Sequence, residues 1–500
     1  MHATRSKRPS LEGRGTSQTL TDTASTALGR AILPRASAYP DRSGIHALPD
    51  SHDAFAARVL LARAAERSLD LQYYIWRSDL TGTILFAELQ AAAARGVRIR
   101  LLLDDNNTSG LDPILTALDA NPNIEVRLFN PFMNRRLRQL GYLTDFFRLN
   151  RRMHNKSFTA DNLATIVGGR NIGDAYFGAT DGVLFADLDV LAVGPVVNAV
   201  SQDFDRYWNS GSSYPADRLL PPVTPAQLDE LAETAARIQT APAARAYVAT
   251  VRQSPLVSSL LRGELALEWA PTMMISDSPA KGLGLAGPEA MLASKLQSAM
   301  GGAIRELDIV SPYFVPTRSG VDALTALTTQ GVAVRVLTNA LESTDVALVH
   351  AGYARRRKAL LQAGIQLYEL RRDRNAPRSR SGSRLLGGSS ASSLHAKTFV
   401  SDRSRVFVGS FNFDPRSANL NTELGFVIDS NTLARSIGGT FDTVIPLSSY
   451  EVQLSRAGKL IWLERREGGE STTFHREPGT GIWKRAWIGL MSRLPVEWLL

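Results

Sequence analysis

Two short segments of the chain carry the same arrangement of groups that can act on a phosphate ester. Each segment has a His, a Lys two positions later and an Asp five positions after the Lys, and a tail of small residues and an Asn follows. The motif residues are His154, Lys156 and Asp161 in the first segment and His395, Lys397 and Asp402 in the second. The tails are Gly168-Gly169-Arg170-Asn171 and Gly409-Ser410-Phe411-Asn412. Because motif and tail recur together 241 residues apart, we interpret them as a duplicated functional element.

These side chains suit a two-step transfer of a group that contains phosphorus. One neutral imidazole can attack phosphorus and form a phospho-histidine, and a second, protonated imidazole can donate a proton to the leaving alcohol. The Lys and Asn pairs can hold the non-bridging oxygens, and the small residues Gly169 and Ser410 let the backbone approach a phosphate. Each His also needs a group that fixes its tautomer, and we assign this role to the downstream carboxylates Asp187 and Glu423. Such a site needs no metal and no cofactor.

The lysines of the two motifs stand out against the composition. The chain has 57 Lys and Arg residues, and only eight of them are Lys. Lys in both motifs therefore indicates a compact cation on a flexible stem, which suits a phosphate held beside an imidazole. The alternative is a surface Lys in each motif. Asp161 and Asp402 are counted with the catalytic residues, although an extended strand would place them on the far side from His and Lys.

The two motifs resemble the paired HKD motifs of the phospholipase D superfamily. The surrounding sequence is similar to bacterial cardiolipin synthases of the C type from about residue 40 to the last residue. The segments that carry the similarity are QYYIW (72–76), LLLDDNN (101–107), RRMHNKSF (151–158), GGRNIGDAYF (168–177), SLHAKTF (393–399), GSFNFDPRS (409–417) and PVEWLL (495–500). The resemblance implies an α/β fold of two homologous lobes, each a central mixed β-sheet flanked by helices. The lobes would pack as a pseudo-dimer with one active site at their interface.

The chain also repeats its predicted secondary structure. A strand at 69–75, a helix at 80–95 and a strand at 97–103 correspond to a strand at 307–310, a helix at 318–330 and a strand at 332–337. Short strands at 165–167 and 406–408 are predicted to lead into the two tails. We divide the chain into a disordered tail (1–40), a first lobe (41–215), a helical linker (216–261), a second lobe (262–450) and a C-terminal segment with an amphipathic helix (451–500).

The composition predicts a globular protein with anionic partners. The chain is 44% hydrophobic, which is enough to form large cores. Its formal net charge of +9 favours acidic lipid or nucleic acid without distinguishing between them. The sequence contains no run of 18 or more apolar residues, so no membrane-spanning helix is predicted. The chain has no Cys, which excludes disulfides and thiolate metal sites.

The C-terminal helix and one isolated histidine are candidates for lipid or substrate contact. Trp483, Trp487 and Leu490 fall on one apolar face of the predicted helix, with cations beside it. This pattern favours either a lipid interface or a helix that covers the core of a lobe. His350 precedes a basic run and is a candidate contact for a phosphate or a headgroup, the alternative being a structural role.

Basic segments precede both motifs. The first, at 132–152, also contains aromatic residues, which favours a membrane-facing element or the rim of the site. The second, at 371–390, is rich in Ser and Gly and is predicted to be a mobile loop. The alternatives are a solvated loop or a contact with single-stranded nucleic acid.

By resemblance, the chain is expected to be a cardiolipin synthase, which transfers a phosphatidyl group from a donor phospholipid to phosphatidylglycerol through a phosphatidyl-histidine. The usual division in the superfamily makes His154 the nucleophile and His395 the acid and base. The expected partners are these phospholipids and an anionic membrane surface, without nucleic acid, at the cytoplasmic face of a bacterial inner membrane. The sequence identifies neither the donor lipid nor a helper protein.

Two alternatives remain at this point. A hydrolytic phospholipase D or a nuclease of the same superfamily would form the same phospho-histidine and differ only in substrate or acceptor. A non-enzymatic membrane scaffold would not need two intact motifs.

Overall fold

The computed structural model of the chain describes residues 8–179, 184–372 and 392–492. The strands are β1 (Ser43–Leu48), β2 (Ser68–Tyr73), β3 (Arg98–Asp104), β4 (Ile124–Phe129), β5 (Ser157–Ala160), β6 (Ala164–Gly168), β7 (Leu184–Ala186), β8 (Asp189–Val193), β9 (Ser213–Pro215), β10 (Glu268–Ala270), β11 (Thr272–Ser276), β12 (Glu306–Val310), β13 (Ala333–Asn339), β14 (Gln366–Leu370), β15 (Ser392–Leu394), β16 (Thr398–Ser401), β17 (Arg405–Gly409), β18 (Leu424–Asp429), β19 (Ser449–Leu454), β20 (Leu460–Arg465) and β21 (Ser471–Phe474). The helices are α1 (Ala27–Ala36), α2 (Ser51–Ala64), α3 (Leu80–Ala94), α4 (Asp112–Asp119), α5 (Gly141–Leu149), α6 (Asp174–Phe177), α7 (Pro195–Trp208), α8 (Pro225–Thr240), α9 (Pro242–Arg252), α10 (Leu256–Leu261), α11 (Ala280–Leu283), α12 (Leu292–Met300), α13 (Arg318–Thr329), α14 (Ala347–Gln362), α15 (Pro415–Asn419), α16 (Asn431–Thr443), α17 (Ile445–Ser448) and α18 (Ile482–Met491).

The first lobe is built on a mixed sheet with the strand order β10-β1-β8-β6-β5-β2-β3-β4-β9. Strands β2, β3 and β4 are parallel, and β5 runs antiparallel to β2. Helix α3 connects β2 to β3 and ends before Gly96, whose φ of +90° suits a residue without a side chain. All six residues of β2 are buried, as expected for a central strand covered on both faces.

The second lobe repeats this arrangement. Its sheet has the order β11-β18-β17-β16-β12-β13-β14-β19-β20-β21. Strands β12, β13 and β14 are parallel, and β16 runs antiparallel to β12, as β5 does to β2. The strands and helices predicted in both halves are present, which confirms two homologous α/β lobes.

The lobes pack through the apolar faces of their sheets. Val167 and Val190 of the first sheet lie in one buried cluster with Val400, Val408 and Phe426 of the second. Each fully buried side chain of this size contributes about 1.5–3 kcal/mol relative to exposure. In addition, β7 of the first lobe pairs in parallel with β15 of the second. The lobes are therefore joined by a shared core and a shared ladder of backbone hydrogen bonds.

The N-terminal region differs from the prediction of a disordered tail over residues 1–40. Residues 8–40 are described and lie against the first lobe, whereas residues 1–7 lie outside the described residues. Helix α1 is capped by Thr26, and its Leu28 and Ile32, one turn apart, are buried in the core of this lobe. Arg100 of β3 donates to Ser17 O at 3.1 Å. The high content of Ser, Thr, Gly and Arg suggested disorder, because the few apolar anchors are outnumbered by polar residues.

The boundaries of the second lobe also differ from the prediction. β10 belongs to the first sheet, although it lies within the predicted second lobe of 262–450, and the second sheet continues through β21 to Phe474. Helices α8, α9 and α10 lie within 216–261. The predicted mobile loop at 371–390 lies outside the described residues, apart from its first two. Within the described ranges, no helix has the length and apolar character needed to span a bilayer.

Candidate active site

Backbone pairing across the lobe interface sets a carboxylate of the second lobe beside the first motif. His154 N donates to Thr422 O at 2.9 Å, and Thr422 N donates to Arg152 O at 2.9 Å. The residue after Thr422 is Glu423. Its Oε2 lies 2.8 Å from His154 Nδ1, and the carboxylate is fully buried.

The second motif is arranged in the same way with the lobes exchanged. His395 N donates to Ala186 O at 2.8 Å, just beyond the pairing of β7 with β15. The next residue, Asp187, places its Oδ2 2.6 Å from His395 Nδ1. Each histidine therefore binds a carboxylate of the opposite lobe, and neither lobe contains a complete pair.

Asp187 is held in its ionised form. Burial alone would raise the pKa of this carboxyl, but His395, Lys397 and Arg170 lower it to about 2. Gly169 makes room for it, because a Cβ at this position would lie 2.1 Å from Asp187 Oδ1. Leu188 N donates to the same oxygen at 2.8 Å.

Glu423 is in a less ionised state. Burial raises its pKa to about 7, against the opposing effects of Lys156 and of the hydroxyl of Ser410. Ser410 and Ser417 donate to its two carboxylate oxygens, and Glu423 N donates to Asp277 Oδ2 at 2.9 Å. Ser410 therefore contacts the carboxylate that orients His154.

The lysines and histidines of the motifs form one buried basic cluster. Lys156 and Lys397 are each 1% exposed, and Lys156 Nζ donates to His154 O at 2.6 Å. Burial lowers the pKa of both lysines, to about 7 for Lys156. Burial and then the two lysines hold the pKa of His154 well below its usual value. The pKa of His395 is lowered by burial and by Lys397, and Asp187 opposes the shift.

Two tyrosines that the sequence reasoning did not single out flank the histidines. The ring of Tyr74 meets His154 edge-on at 4.9 Å, and the ring of Tyr176 meets His395 in the same way at 5.2 Å. Lys156 Nζ lies 5.6 Å from the centre of the Tyr74 ring. Both tyrosines lie in segments that carried the family resemblance, and the position of Tyr74 just beyond the end of β2 was the available signal.

The two asparagines of the tails are not equivalent. The Oδ1 of Asn171 accepts from Ile75 N at 3.1 Å, and its Nδ2 donates to Tyr176 Oη at 3.1 Å. Asn171 therefore fixes the protein around His395, and its expected use as a ligand for phosphate oxygens stays a prediction. Asn412 is 3% exposed, and its Oδ1 has no hydrogen-bond partner among the described residues.

The aspartates of the motifs lie away from the histidine cluster. Asp161 follows β5 and its carboxylate accepts from the backbone N–H groups of residues 66–68, while Asp402 follows β16 and accepts from those of residues 304–306. Both have a φ near +50°, as the tight hairpin turns after these strands require. Their placement corrects the expected catalytic role: they fasten the hairpins to the start of β2 and β12.

The structure does not bring His350 together with the two motifs. His350 lies in α14, is 3% exposed, and its Nε2 lies 3.1 Å from Glu477 Oε1 and 2.9 Å from a guanidinium nitrogen of Arg357. These contacts connect α14 to the segment before α18. They give His350 a structural environment in place of the expected substrate contact.

Helix α18 has one side on the second lobe and one side in solvent. Ile488 is 3% exposed and packs with Leu341 and Ala351. The three residues of the expected membrane contact point outward, with exposed fractions of 85% for Trp483, 45% for Trp487 and 56% for Leu490. The described residues contain no group of three or more His, Asp or Glu side chains that could hold a metal ion.

Two homologous mixed-sheet lobes that each supply one H-x-K-x4-D motif to a shared site define a phospholipase D-like protein. The family model described as "Cardiolipin synthase, PLD-like domain" matches the chain twice, at residues 60–208 and 295–445. The chain belongs to this family of cardiolipin synthase, phospholipase D-like proteins.

Individual relatives agree with this assignment. A protein of Escherichia coli K12 named cardiolipin synthase C is 51% identical over 473 residues, which cover 95% of this chain and 99% of the relative. An uncharacterized protein of Helicobacter pylori strain 26695 is 33% identical over 426 residues, which cover 83% of this chain and 82% of the relative. The crystal structure of a phosphatidylserine synthase of Haemophilus influenzae Rd KW20 superposes with a TM-score of 0.58 at 13% identity, covering 95% of this chain and 100% of that one. This last likeness shows the fold alone.

Proposed function

We propose that this protein is a phosphatidyltransferase that makes cardiolipin. In the proposed reaction, a phosphatidyl group passes from a donor phospholipid to phosphatidylglycerol through a phosphatidyl-histidine. Membership of the family and the 51% identity to a cardiolipin synthase C support the substrate class. The observation that carries the chemistry is the pair of buried histidines, each bound at Nδ1 by a carboxylate of the other lobe.

In the first half of the reaction, His154 Nε2 attacks the phosphorus of the donor lipid. The bond between phosphorus and the oxygen of the donor's alcohol breaks, and His395 gives its proton to that oxygen. A lowered pKa keeps His154 neutral and therefore nucleophilic. Burial and Lys397 lower the pKa of His395 as well, but the ionised Asp187 opposes that shift, so His395 is the better suited of the two rings to carry the proton of a general acid. These charges support the same assignment that the resemblance implied.

In the second half, the now neutral His395 takes a proton from a hydroxyl of phosphatidylglycerol. The resulting oxygen attacks the phosphatidyl-histidine, a new P–O bond forms, and the bond between His154 and phosphorus breaks. The cations of Lys156 and Lys397 and the side chain of Asn412 are proposed to stabilise the charged oxygens on phosphorus during both steps. No metal and no cofactor enters this scheme.

The protein is proposed to act as a peripheral protein at the cytoplasmic face of a bacterial inner membrane. Trp483, Trp487 and Leu490 of α18 are exposed and would insert into an anionic lipid surface. Replacing Trp487 and Leu490 with Glu should release the protein from anionic vesicles. High salt should weaken the binding of the unaltered protein only in part, because the apolar contribution is not screened. Full sedimentation of the double variant with vesicles would contradict this role of α18.

Lipid mass analysis after expression in a bacterium without cardiolipin tests the proposed activity. Cardiolipin should accumulate with the unaltered chain and not with His154→Ala or His395→Ala. Isotope-labelled headgroups, released as free alcohols, would identify the donor lipid. Formation of phosphatidic acid without cardiolipin would instead indicate a hydrolytic phospholipase D, and cleavage of nucleic acid would indicate a nuclease of the same superfamily.

A further inference from the structure

Six large apolar side chains are exposed in two segments that meet beside the active site. Four belong to the segment before the first motif, and two belong to the loop after β11 in the second lobe. They are Leu137, Leu140, Leu143, Phe147, Leu283 and Leu285. Leu143, Phe147 and Leu285 are 83%, 79% and 75% exposed. Single exposed apolar residues are ordinary, but a contiguous group marks a surface that binds something.

The two segments meet at a shared hollow, and we call this hollow together with the six exposed side chains the mouth surface. Leu140 of the first lobe and Leu283 and Leu285 of the second line the same hollow, whose volume is about 1320 Å³. The segments are joined where Asn130 donates to Gly282 O at 3.1 Å. The mouth surface therefore lies across the junction of the two lobes, where the active site also lies.

A short series of contacts connects the mouth surface to the nucleophile. Tyr142, in α5, donates its hydroxyl to Asn106 Oδ1 at 3.0 Å. Asn106 Nδ2 lies 3.5 Å from Tyr74 Oη, and the Tyr74 ring contacts His154. At the other end of α5, Asn150 accepts from Arg416 of the second lobe at 2.8 Å. Helix α5 is thus fixed at the rim of the site, with Leu143 and Phe147 directed away from it into solvent.

The charge around the hollow indicates which class of partner the mouth surface binds. Four arginines line it, namely Arg8, Arg135, Arg136 and Arg148. Asp145 is the acidic residue among the described side chains of its lining, and it pairs with Arg148. Arg135 pairs with Asp105 and Asp112 behind the hollow. Among the described residues this leaves Arg8 and Arg136 as the cations of the hollow that have no ion pair. Apolar side chains surrounded by a net positive charge match a leaflet of anionic phospholipid, which offers acyl chains below and phosphates above. A nucleic acid could stack on Phe147 but would gain little from the exposed aliphatic side chains of Leu143 and Leu285.

We propose that the mouth surface docks on an anionic phospholipid leaflet, so that a substrate lipid enters the active site directly from the membrane. Leu143, Phe147 and Leu285 insert among the acyl chains, and Arg8 and Arg136 of the hollow meet the phosphates. This proposal rests on the proposed function for the identity of the lipid that enters. It assigns to α5 and the loop after β11 a contact that is separate from that of α18.

A matched pair of double variants tests the proposal. Leu143→Glu with Phe147→Glu changes the mouth surface, and Met273→Glu with Ile304→Glu adds the same charge at side chains that are 57% and 78% exposed elsewhere. Binding is measured by sedimentation with vesicles of phosphatidylglycerol and phosphatidylcholine in equal parts. Turnover is measured on these vesicles and on dispersed short-chain phosphatidylglycerol. Circular dichroism and thermal unfolding verify that each variant is folded.

The mouth variant should bind vesicles about tenfold more weakly or worse, because two inserted apolar side chains are lost and two negative charges face the lipid. Its turnover on vesicles should fall in parallel, while turnover of the short-chain lipid should stay close to that of the control variant. Vesicle binding equal to that of the control variant would overturn the proposal. A loss of short-chain turnover with vesicle binding intact would overturn it too, since the side chains would then serve the site itself. If the unaltered protein binds vesicles through the mouth surface but makes no cardiolipin, the docking stands and the proposed function fails.

Discussion

The two halves of the active site share one geometry and differ in charge. His395 lies 2.6 Å from the Asp187 carboxylate and His154 lies 2.8 Å from the Glu423 carboxylate. The pKa of Asp187 is lowered to about 2, whereas the pKa of Glu423 is raised to about 7. A duplicated motif has therefore come to hold one carboxylate that is fully ionised and one that is only about half ionised near pH 7.

The difference follows from what surrounds each carboxylate. Asp187 has the permanent cation of Arg170 nearby and a glycine that allows close approach. Glu423 has neutral hydroxyls of Ser410 and Ser417 and a lysine whose own pKa is lowered. The comparison teaches that residues outside two identical motifs can give them different charges, which in the proposed mechanism divides an acid role from a nucleophilic role.

Removal of either histidine should have the largest effect. His154→Ala and His395→Ala should each lower turnover by about 10³-fold or more, because each ring performs a step that the other cannot perform while engaged. A donor lipid whose leaving group departs without taking up a proton distinguishes the nucleophile from the general acid. His395→Ala should still form a phosphatidyl-enzyme with this donor, detected by mass spectrometry, and His154→Ala should form none. The reverse pattern would exchange the roles of the two halves.

Neutral amides in place of the carboxylates should give a smaller and unequal loss. Asp187→Asn should lower kcat by about 10²-fold, since His395 loses the charge that raises its pKa, and activity should recover in part as the pH falls. Glu423→Gln should lower kcat by about tenfold. Because Glu423 raises the pKa of Lys156, its removal should lower that pKa further and move the alkaline limb of the pH–rate profile to lower pH. Equal losses with unshifted profiles would contradict the difference between the halves.

Exchange of the small residues in the tails should have a smaller effect again. Gly169→Ser introduces a Cβ that would lie 2.1 Å from Asp187 Oδ1, so the carboxylate must move away from His395. We expect a loss of about tenfold in kcat/KM. Ser410→Gly removes one hydroxyl from Glu423 and should cost about threefold. Thermal unfolding serves as the control, and a larger loss for Ser410→Gly would reverse the proposed ranking of the two halves.

Excess chelator should have no effect on turnover in either half-reaction. The proposed site uses imidazole, ammonium, amide and carboxylate groups alone. The measurement is cardiolipin formation with and without EDTA on the same vesicles. A loss that one divalent ion restores, with lipid packing unchanged, would mean that the catalytic groups are assigned wrongly.

The repeated lobes could be predicted from sequence because local signals agree with the global fold. The strands and helices around β2, α3 and β3 recur around β12, α13 and β13, and each has a clear apolar pattern bounded by Gly. The order of residues 8–40 could not be predicted from sequence. It depends on contacts with the first lobe, and the sequence of this segment does not encode that surface. Leu28 and Ile32 hold this segment in place only once the first lobe is folded, because they pack into its core.

The sequence predicted which residues form the site, but not which lobe supplies the carboxylate that contacts each histidine. The histidines, lysines and both carboxylates were identified from motifs and spacing, and the structure brings them together. The crossing of the carboxylates between lobes depends on the pairing of β7 with β15 and on the bridge between Met153 and Thr422, neither of which has a signature in the sequence. The roles of Asp161 and Asn171 were assigned from their place in a motif, whereas their hydrogen bonds hold the backbone.

The crossed carboxylates also have a consequence for the protein during its synthesis. The partner of His154 lies 269 residues further along the chain. At about 5–20 residues per second, His154 is made roughly 13–54 s before Glu423. Throughout that interval His154 is present without the carboxylate that binds its Nδ1, and for most of it His395 has not been made either. If the two histidines have the proposed roles, a nascent chain is unable to cut the phospholipids it meets, and activity begins only when translation is nearly complete and the lobes have docked.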